Sequence, residues 1–345
     1  MKSGSRIYVA GHRGLVGSAL TRALASRGFP NVLTRTREEL DLGDPRRVLD
    51  FFRREQPEYV FLAAARVGGI RANSEHPAEF IHDNLLIQAS VIHAAHAAGT
   101  RRLIFFGSNC LYPRECPQPM KEDAIMTGRM EPTSEAYAVA KLAGLTLCNA
   151  YNREYGTEFV TLIPATIYGP GAHFDADTSH VLPALMRRFH EANVQVGVLQ
   201  PALAGGLGGA ELPPAQRASA GFTPARAKDP PPAVTVWGTG SPVREFLYVD
   251  DLADACLFLA EREGPLPASP INVGTGVGCS IRELAAEIAR VVGFEGEVVF
   301  DPRQPDGAPQ KVLDSSRMRA LGWSPRTPLG EGLRRTYAWF LEHRC

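Results

Sequence analysis

Short apolar runs alternate with helical repeats through the first half of the chain. Ile7-Tyr8-Val9-Ala10 has no charged position and predicts a buried strand. Leu15, Val16, Ala19, Leu20, Ala23 and Leu24 then recur at the helical period, and Gly28 closes the helix they predict. Asn31-Val32-Leu33-Thr34 predicts a second strand. Asp44 followed by Pro45 supplies a cap and a proline at the first helical position, opening a helix through Phe52. Further strands are predicted over 59–63, 103–106 and 159–163, with a long helix over 136–155. This alternation predicts an α/β fold, a Rossmann-type doubly wound parallel sheet covered by helices.

After Pro164 the pattern weakens, and a smaller mixed α/β unit is expected. Ser280 and Glu283 form a capping box ahead of Ile281, Leu284 and Ile288, so a helix starts there. The stretch 197–232 is rich in Gly, Pro and Ala and cannot bury enough apolar surface to offset its ordering entropy. It reads as a surface insertion, with a lid or partner-docking loop as the other reading. The organisation expected is a dinucleotide-binding unit over 1–170, to which the chain crosses back from about 234–260, and a substrate unit over 171–345.

Composition narrows the partners. The 345 residues are 44% hydrophobic, enough for a sizeable core, and the formal net charge is zero. A neutral balance gives no reason to expect nucleic acid or an anionic membrane, so anions must be bound in local pockets. The six cysteines contain no C-x-x-C pair and read as free thiols of a reducing compartment. The first residues carry only a four-residue apolar run, too short for a signal-peptide core, so a cytoplasmic location is expected.

Gly11-His12-Arg13-Gly14-Leu15-Val16-Gly17 leaves the first strand and opens the first helix. Glycines there let backbone amides and the helix N-terminus approach a pyrophosphate. The spacing is G-x-x-G-x-x-G, weak alone and much more specific between a strand and a helix. At the end of the second strand NAD binders place an acid, and NADP binders an arginine. This chain reads Thr34-Arg35-Thr36-Arg37, and Arg13 lies in the glycine loop, so Arg13 and Arg37 are placed to flank one phosphate. The expected cofactor is NADP(H).

Tyr137 and Lys141 stand four apart, on one face of the predicted long helix. With nine tyrosines and five lysines in the chain, about 0.1 such pairs are expected by chance. A lysine ammonium beside a tyrosine favours the phenolate, which equips the pair for proton exchange with a carbonyl. Ser108, at the end of a predicted strand, is the candidate third donor.

Together these residues resemble the extended short-chain dehydrogenase/reductases. Finer motifs resemble the branch acting on GDP-linked 4-keto-6-deoxy sugars: Ala63-Ala64-Ala65-Arg66-Val67-Gly68-Gly69-Ile70, Ser108-Asn109-Cys110-Leu111-Tyr112-Pro113 and Glu131-Pro132-Thr133. The likeness continues through Ser179-His180-Val181-Leu182-Pro183-Ala184-Leu185, Trp237-Gly238-Thr239-Gly240, Arg244-Glu245-Phe246-Leu247 and Lys311, nearly the whole chain outside 197–232. It implies GDP-4-keto-6-deoxy-D-mannose as substrate, epimerised at carbons 3 and 5 and then reduced by NADPH at carbon 4. By the same resemblance Cys110 and His180 are the epimerising base and acid. Tyr137 gives the proton in reduction, Lys141 supports it, and Ser108 holds the keto oxygen. Arg188, Trp237, Arg244 and Asp306 match positions that hold GDP. The cofactor is expected on Gly11, His12, Arg13, Gly14, Leu15, Val16 and Gly17, on Arg37, Glu38, Leu40 and Asp41, and on Ala64, Phe106, Gly107 and Ser108. Lys141, Pro164, Ala165, Thr166, Ile167 and His180 complete that surface. The resemblance also implies a homodimer packed through helices near 85–98 and 136–152.

Two positions depart from the pattern: Asn109 where a second serine is common, and Thr166 where asparagine is common. Dehydratases of the family carry two acids after the position of Ser108, and here Asn109-Cys110 follow. A simple 4-epimerase retains NAD, which Arg13 and Arg37 disfavour. A silent dinucleotide-binding subunit is expected to lack Tyr137 or Lys141, and both are present. His93 and His96 have a metal-pair spacing but no evident third ligand, so no metal is expected.

Overall fold

Ile7, Tyr8, Val9 and Ala10 are all buried, as a central strand covered on both faces requires. They form β1 (Ile7–Ala10) of a parallel sheet in a computed structural model that describes residues 1–175, 179–195, 232–264, 266, 269–304 and 306–344. Its partners are β2 (Val32–Leu33), β3 (Tyr59–Leu62), β4 (Arg102–Phe106), β5 (Glu158–Pro164) and β9 (Ile271–Val273), in the order β2-β1-β3-β4-β5-β9. All five pairings are parallel.

Side chains alternate between two cores. On one face Ile7, Val9, Phe61, Ile104 and Leu162 pack with Leu20 and Leu24 of α1 (Leu15–Ser26) and Leu252 and Leu257 of α7 (Val249–Glu261). On the other, Tyr8, Val60, Leu103, Phe105 and Phe159 meet Phe51 and Phe52 of α2 (Pro45–Glu55) and Val91 and Ile92 of α4 (Pro77–Ala97). Cys148 of α5 (Glu135–Tyr155) joins this second core. Asp44 caps α2 as expected, its carboxylate accepting from Arg46 and Arg47 N–H, but the helix outlasts Phe52 and ends where Gln56 turns left-handed. The second strand is shorter than the apolar run, because only Ile7 and Tyr8 are in register beside it.

A separate core lies beyond β5. β8 (Val243–Tyr248) pairs with β6 (Thr166–Tyr168), β10 (Gly278–Ser280) and β12 (Gln310–Lys311), while β7 (Ala233–Trp237) pairs with β11 (Glu297–Asp301). Phe189 of α6 (Val181–Gln195), Leu284 and Ile288 of α8 (Ile281–Val292), and Leu333 and Phe340 of α10 (Leu329–Arg344) fill it. The Ser280–Glu283 capping box is formed. α7 returns to the parallel sheet and packs on α1, with Arg27 paired to Asp254 and Glu261. Of the stretch 197–232, all but Pro232 lies outside the described residues.

Candidate active site

β1 and β3 are neighbours, yet β2 lies beyond one and β4 beyond the other, so strand order reverses between them. Open parallel sheets bind ligands at the C-terminal ends of strands flanking such a reversal. The glycine loop leaves β1 there. Gly11 has φ +83°, and a Cβ on it would stand 2.7 Å from Ala64 N at the end of β3. A Cβ on Gly17 would overlap the Gly11 carbonyl, so this glycine allows helix and loop to close. Gly14 differs: its Cβ would touch only Gly11 O, at 3.5 Å, leaving the N-terminus of α1 open to a ligand. His12 Nδ1 is buried there with no partner. These are features of a cradle for a pyrophosphate and fit a dinucleotide.

The two arginines after β2 separate clearly. Arg35 pairs with Glu55 at 3.2 Å, donates to Thr34 O at 2.7 Å and lies 5.2 Å from the Phe51 ring centroid. It is part of the scaffold. Arg37 and Arg13 are exposed, have no hydrogen bond or ion pair among the described residues, and both act on the Glu38 carboxylate. Their spare donors suit an added phosphate. Leu40 is buried, and the Asp41 carboxylate accepts from Gly43 N–H at 2.9 Å, closing the following turn.

The end of β4 gathers four of the predicted site residues. Ser108 Oγ accepts from Cys110 N–H at 3.2 Å and caps the single 3₁₀ turn Asn109–Leu111. The Ser108 hydroxyl and Cys110 both lie near enough to the Tyr137 phenol to act on its titration. Cys110 Sγ faces Asn109 Oδ1 at 3.8 Å. Lys141, buried one turn beyond Tyr137, donates from Nζ to Phe106 O at 2.9 Å. Sequence reasoning has Lys141 acidify Tyr137, and the structure reverses that balance. Burial pushes the Tyr137 phenol up, the Cys110 charge adds to it, and the nearby Ser108 hydroxyl only opposes it. Lys141 itself is pulled down to about 7 by burial, so holding its charge there is costly.

Phe80 escaped the sequence reading. Its ring meets Tyr137 edge-on, with centroids 6.3 Å apart and planes at 81°, and the Arg66 guanidinium lies 5.6 Å from its centroid. One phenylalanine among the apolar positions of α4 carries no local signal of that role.

Other predicted residues lie on different elements. Pro164 ends β5, Ala165 N–H donates to Val273 O at 3.0 Å, and Thr166 and Ile167 enter β6. His180 precedes α6, where solvent reaches it although the surrounding protein desolvates the imidazole and lowers its pKa. No hydrogen bond joins it to Cys110 among the described residues. Arg188, on the same helix, donates to Thr235 O at 3.3 Å and so lies beside β7, whose exposed Trp237 ends the strand. Arg244 is largely desolvated, which lowers its pKa, with Asp306 opposing the shift. Asp306 is already engaged, accepting from Thr239 N–H at 2.7 Å and Thr239 Oγ1 at 2.8 Å. It ties the turn after Trp237 to the loop beyond β11. Among the described residues no cluster of metal ligands occurs, and no helix is long and apolar enough to cross a membrane.

Residues 7–274 match the NAD dependent epimerase/dehydratase family. The chain belongs to that family. It is 47% identical over 341 residues to GDP-L-fucose synthase 1 of Arabidopsis thaliana, covering 99% of this chain and 94% of that one. It is 46% identical over 349 residues to GDP-L-fucose synthase of Escherichia coli K12, covering 99% and 98%. Among solved structures it resembles a GDP-mannoheptose C4 reductase from Campylobacter jejuni with NADP bound, at 36% identity and TM-score 0.83 over 99% of each chain. The family's NAD(P)-type fold is thus shared along the full length, including the second core.

Proposed function

We infer that this chain converts GDP-4-keto-6-deoxy-D-mannose to GDP-L-fucose, epimerising carbons 3 and 5 and reducing carbon 4 with NADPH. The observation that carries the reading is the grouping of Ser108, Cys110, Tyr137 and Lys141 at the end of β4. It occurs in a chain related over its whole length to GDP-L-fucose synthases. Bound NADPH supplies the hydride for carbon 4. Gly11, Gly14 and the N-terminus of α1 suit its pyrophosphate, and Arg13 and Arg37 suit its 2′-phosphate.

The residues divide the chemistry. A keto group at carbon 4 acidifies the hydrogens on carbons 3 and 5. Cys110 takes a proton from one face of each centre, and His180 returns one to the opposite face of the enolate. An imidazolium of lowered pKa gives up its proton readily. Ser108 donates to the keto oxygen, and Tyr137, kept as a phenol by its raised pKa, protonates that oxygen as reduction proceeds. Lys141 anchors the tyrosine's helix to β4 and orients the nicotinamide ribose. Arg188, Trp237 and Arg244 hold the GDP end, with Asp306 fixing the turn that follows Trp237.

The unit over 1–170, with α7 and β9, binds the cofactor, and the later core binds the sugar nucleotide. Exposed Leu85, Leu86 and Val139 on α4 and α5 support a homodimer through those helices. The described cysteines are all free, which supports a cytoplasmic location. The deciding experiment is incubation with GDP-4-keto-6-deoxy-D-mannose and NADPH, identifying the sugar. GDP-L-fucose is the expected product. An unepimerised GDP-6-deoxy sugar would leave Tyr137 and Lys141 in place and remove Cys110 and His180 from their roles. No turnover would overturn the reading.

A further inference from the structure

Cys110 sits on a turn whose far side is sewn into the sheet. Tyr112, two residues on, is buried, and its hydroxyl donates to Asn272 Oδ1 at 2.6 Å. Asn272 is fully buried in β9, beside Ile163 of β5. Its Nδ2 donates to Met120 O at 2.9 Å and to Asp314 O at 3.1 Å, and its N–H donates to Glu122 Oε1 at 2.9 Å. Both amide hydrogens and the amide oxygen are therefore used. Met120 is bonded in turn to the 312–314 segment, through Val312 O at 2.7 Å and Asp314 N–H at 2.9 Å. Leu313 N–H donates to Glu245 Oε2 at 2.7 Å, next to Arg244. A buried polar path thus runs from the turn of Cys110 toward the strand carrying Arg244.

We propose that Tyr112 and Asn272 are positioning residues for Cys110, holding its turn in place for epimerisation. The turn has one side-chain cap, from Ser108, and the thiol's own contact with Asn109 is long for a hydrogen bond. The register of Cys110 therefore depends on the residues C-terminal to it. Leu111 and Tyr112 are the first buried side chains after the thiol, and Tyr112 alone carries a directional bond. Tyr137 and Lys141 have a tether of their own. They ride on α5, which is bonded to β4 through Phe106 O. Loosening Tyr112 should consequently misplace the base and leave the proton donor of reduction in place. A removed bond within such a fully satisfied network is felt by its other members as well.

The inference rests on the role read above for Cys110, and its test separates the two. Tyr112→Phe deletes one hydroxyl and keeps the ring. Thr100→Val is the control, deleting a buried hydroxyl that donates to Pro57 O at 2.8 Å before the start of β4. Solvent deuterium incorporation at carbons 3 and 5 is measured against NADPH oxidation on GDP-4-keto-6-deoxy-D-mannose. Separately, iodoacetamide alkylation of Cys110 is followed by peptide mass spectrometry without substrate. For Tyr112→Phe we expect incorporation per NADPH oxidised to fall about tenfold, the scale of one lost hydrogen bond, with unepimerised product appearing. The alkylation rate should change in the same protein and not in Thr100→Val. An unchanged ratio, or an equal change in Thr100→Val, overturns the proposal. If the wild type makes no GDP-L-fucose, the functional reading falls, and an unchanged alkylation rate then overturns the positioning role on its own.

Discussion

Lys141 Nζ donates to the main-chain oxygen of Phe106 at 2.9 Å, so the helix carrying Tyr137 is bonded directly to the end of the strand that delivers Ser108. The bond fixes the distance between two chain segments 35 residues apart in sequence. It brings the phenol of Tyr137 and the hydroxyl of Ser108 together. A phenol of raised pKa stays protonated at neutral pH, which is the state a proton donor needs.

Tyr137→Phe removes that proton and little else. NADPH oxidation should fall about 10²- to 10⁴-fold in kcat, the usual share of a positioned acid. The dissociation constant for NADPH, followed by fluorescence titration, should stay close to that of the wild type. Near-normal turnover would strip Tyr137 of its role.

Lys141 offers a pH signature independent of catalysis. Its folded-state pKa is about 7, below the ordinary lysine value of 10.5. Between those values the unfolded chain binds the extra proton, so this group makes stability rise with pH from about 7 to about 10.5. Below 7 the penalty is constant. Urea denaturation of Lys141→Met should therefore show a protein that is more stable than wild type at pH 7, and the advantage should shrink toward pH 10. An equal difference across that range would contradict a depressed lysine.

Cys110→Ser replaces a thiol by a hydroxyl of far higher pKa at nearly constant volume. Deuterium incorporation at carbons 3 and 5 should drop by about two orders of magnitude, within the range for loss of a general base. The dissociation constant for NADPH should change by less than about twofold, because the cofactor cradle is built from β1, α1 and the turn after β2. Undiminished exchange would point to another base.

Arg37 and Arg35 should part company under mutation. Arg37→Ala should raise the KM for NADPH by about 10- to 100-fold and leave that for NADH nearly unchanged, as expected for one charge-assisted contact to phosphate. Arg35→Ala should instead lower thermal stability, because it loses Glu55, the Thr34 carbonyl and the Phe51 ring together. Initial rates with both cofactors and a melting curve for each variant decide the matter. A loss of NADPH preference in Arg35→Ala alone would interchange the assignments.

Features encoded over a few residues are legible in the chain itself. The all-apolar run at Ile7, the cap at Asp44, the capping box at Ser280 and the glycine loop each depend on neighbours within a turn or a strand. The Tyr137–Lys141 spacing is legible for the same reason, since helical geometry alone puts both on one face. The electrostatic consequence is not. Whether Lys141 lends its charge to Tyr137 depends on how deeply α5 is buried against β4, and that depth is set by packing from several elements.

The remaining surprises are likewise non-local. The sequence reading singles out Arg37 for the phosphate but gives Arg35 no role, and only the positions of Glu55 and Phe51 make Arg35 a scaffold residue while Arg37 stays exposed. Asp306 reads as a ligand to GDP, and only the fold shows that its carboxylate also accepts from Thr239 in the turn after β7. Asn272, in a three-residue strand, carries no motif that announces the four residues it bonds. By itself, then, the sequence determined the alternation of strands and helices in the first half, the glycine loop and the residue types of the chemistry, because short-range sterics and periodicity suffice for these. Tertiary structure alone decided which charges are desolvated, which polar groups are already partnered and which turns are tied down. Those properties belong to distances between segments far apart in the chain, and only folding sets them.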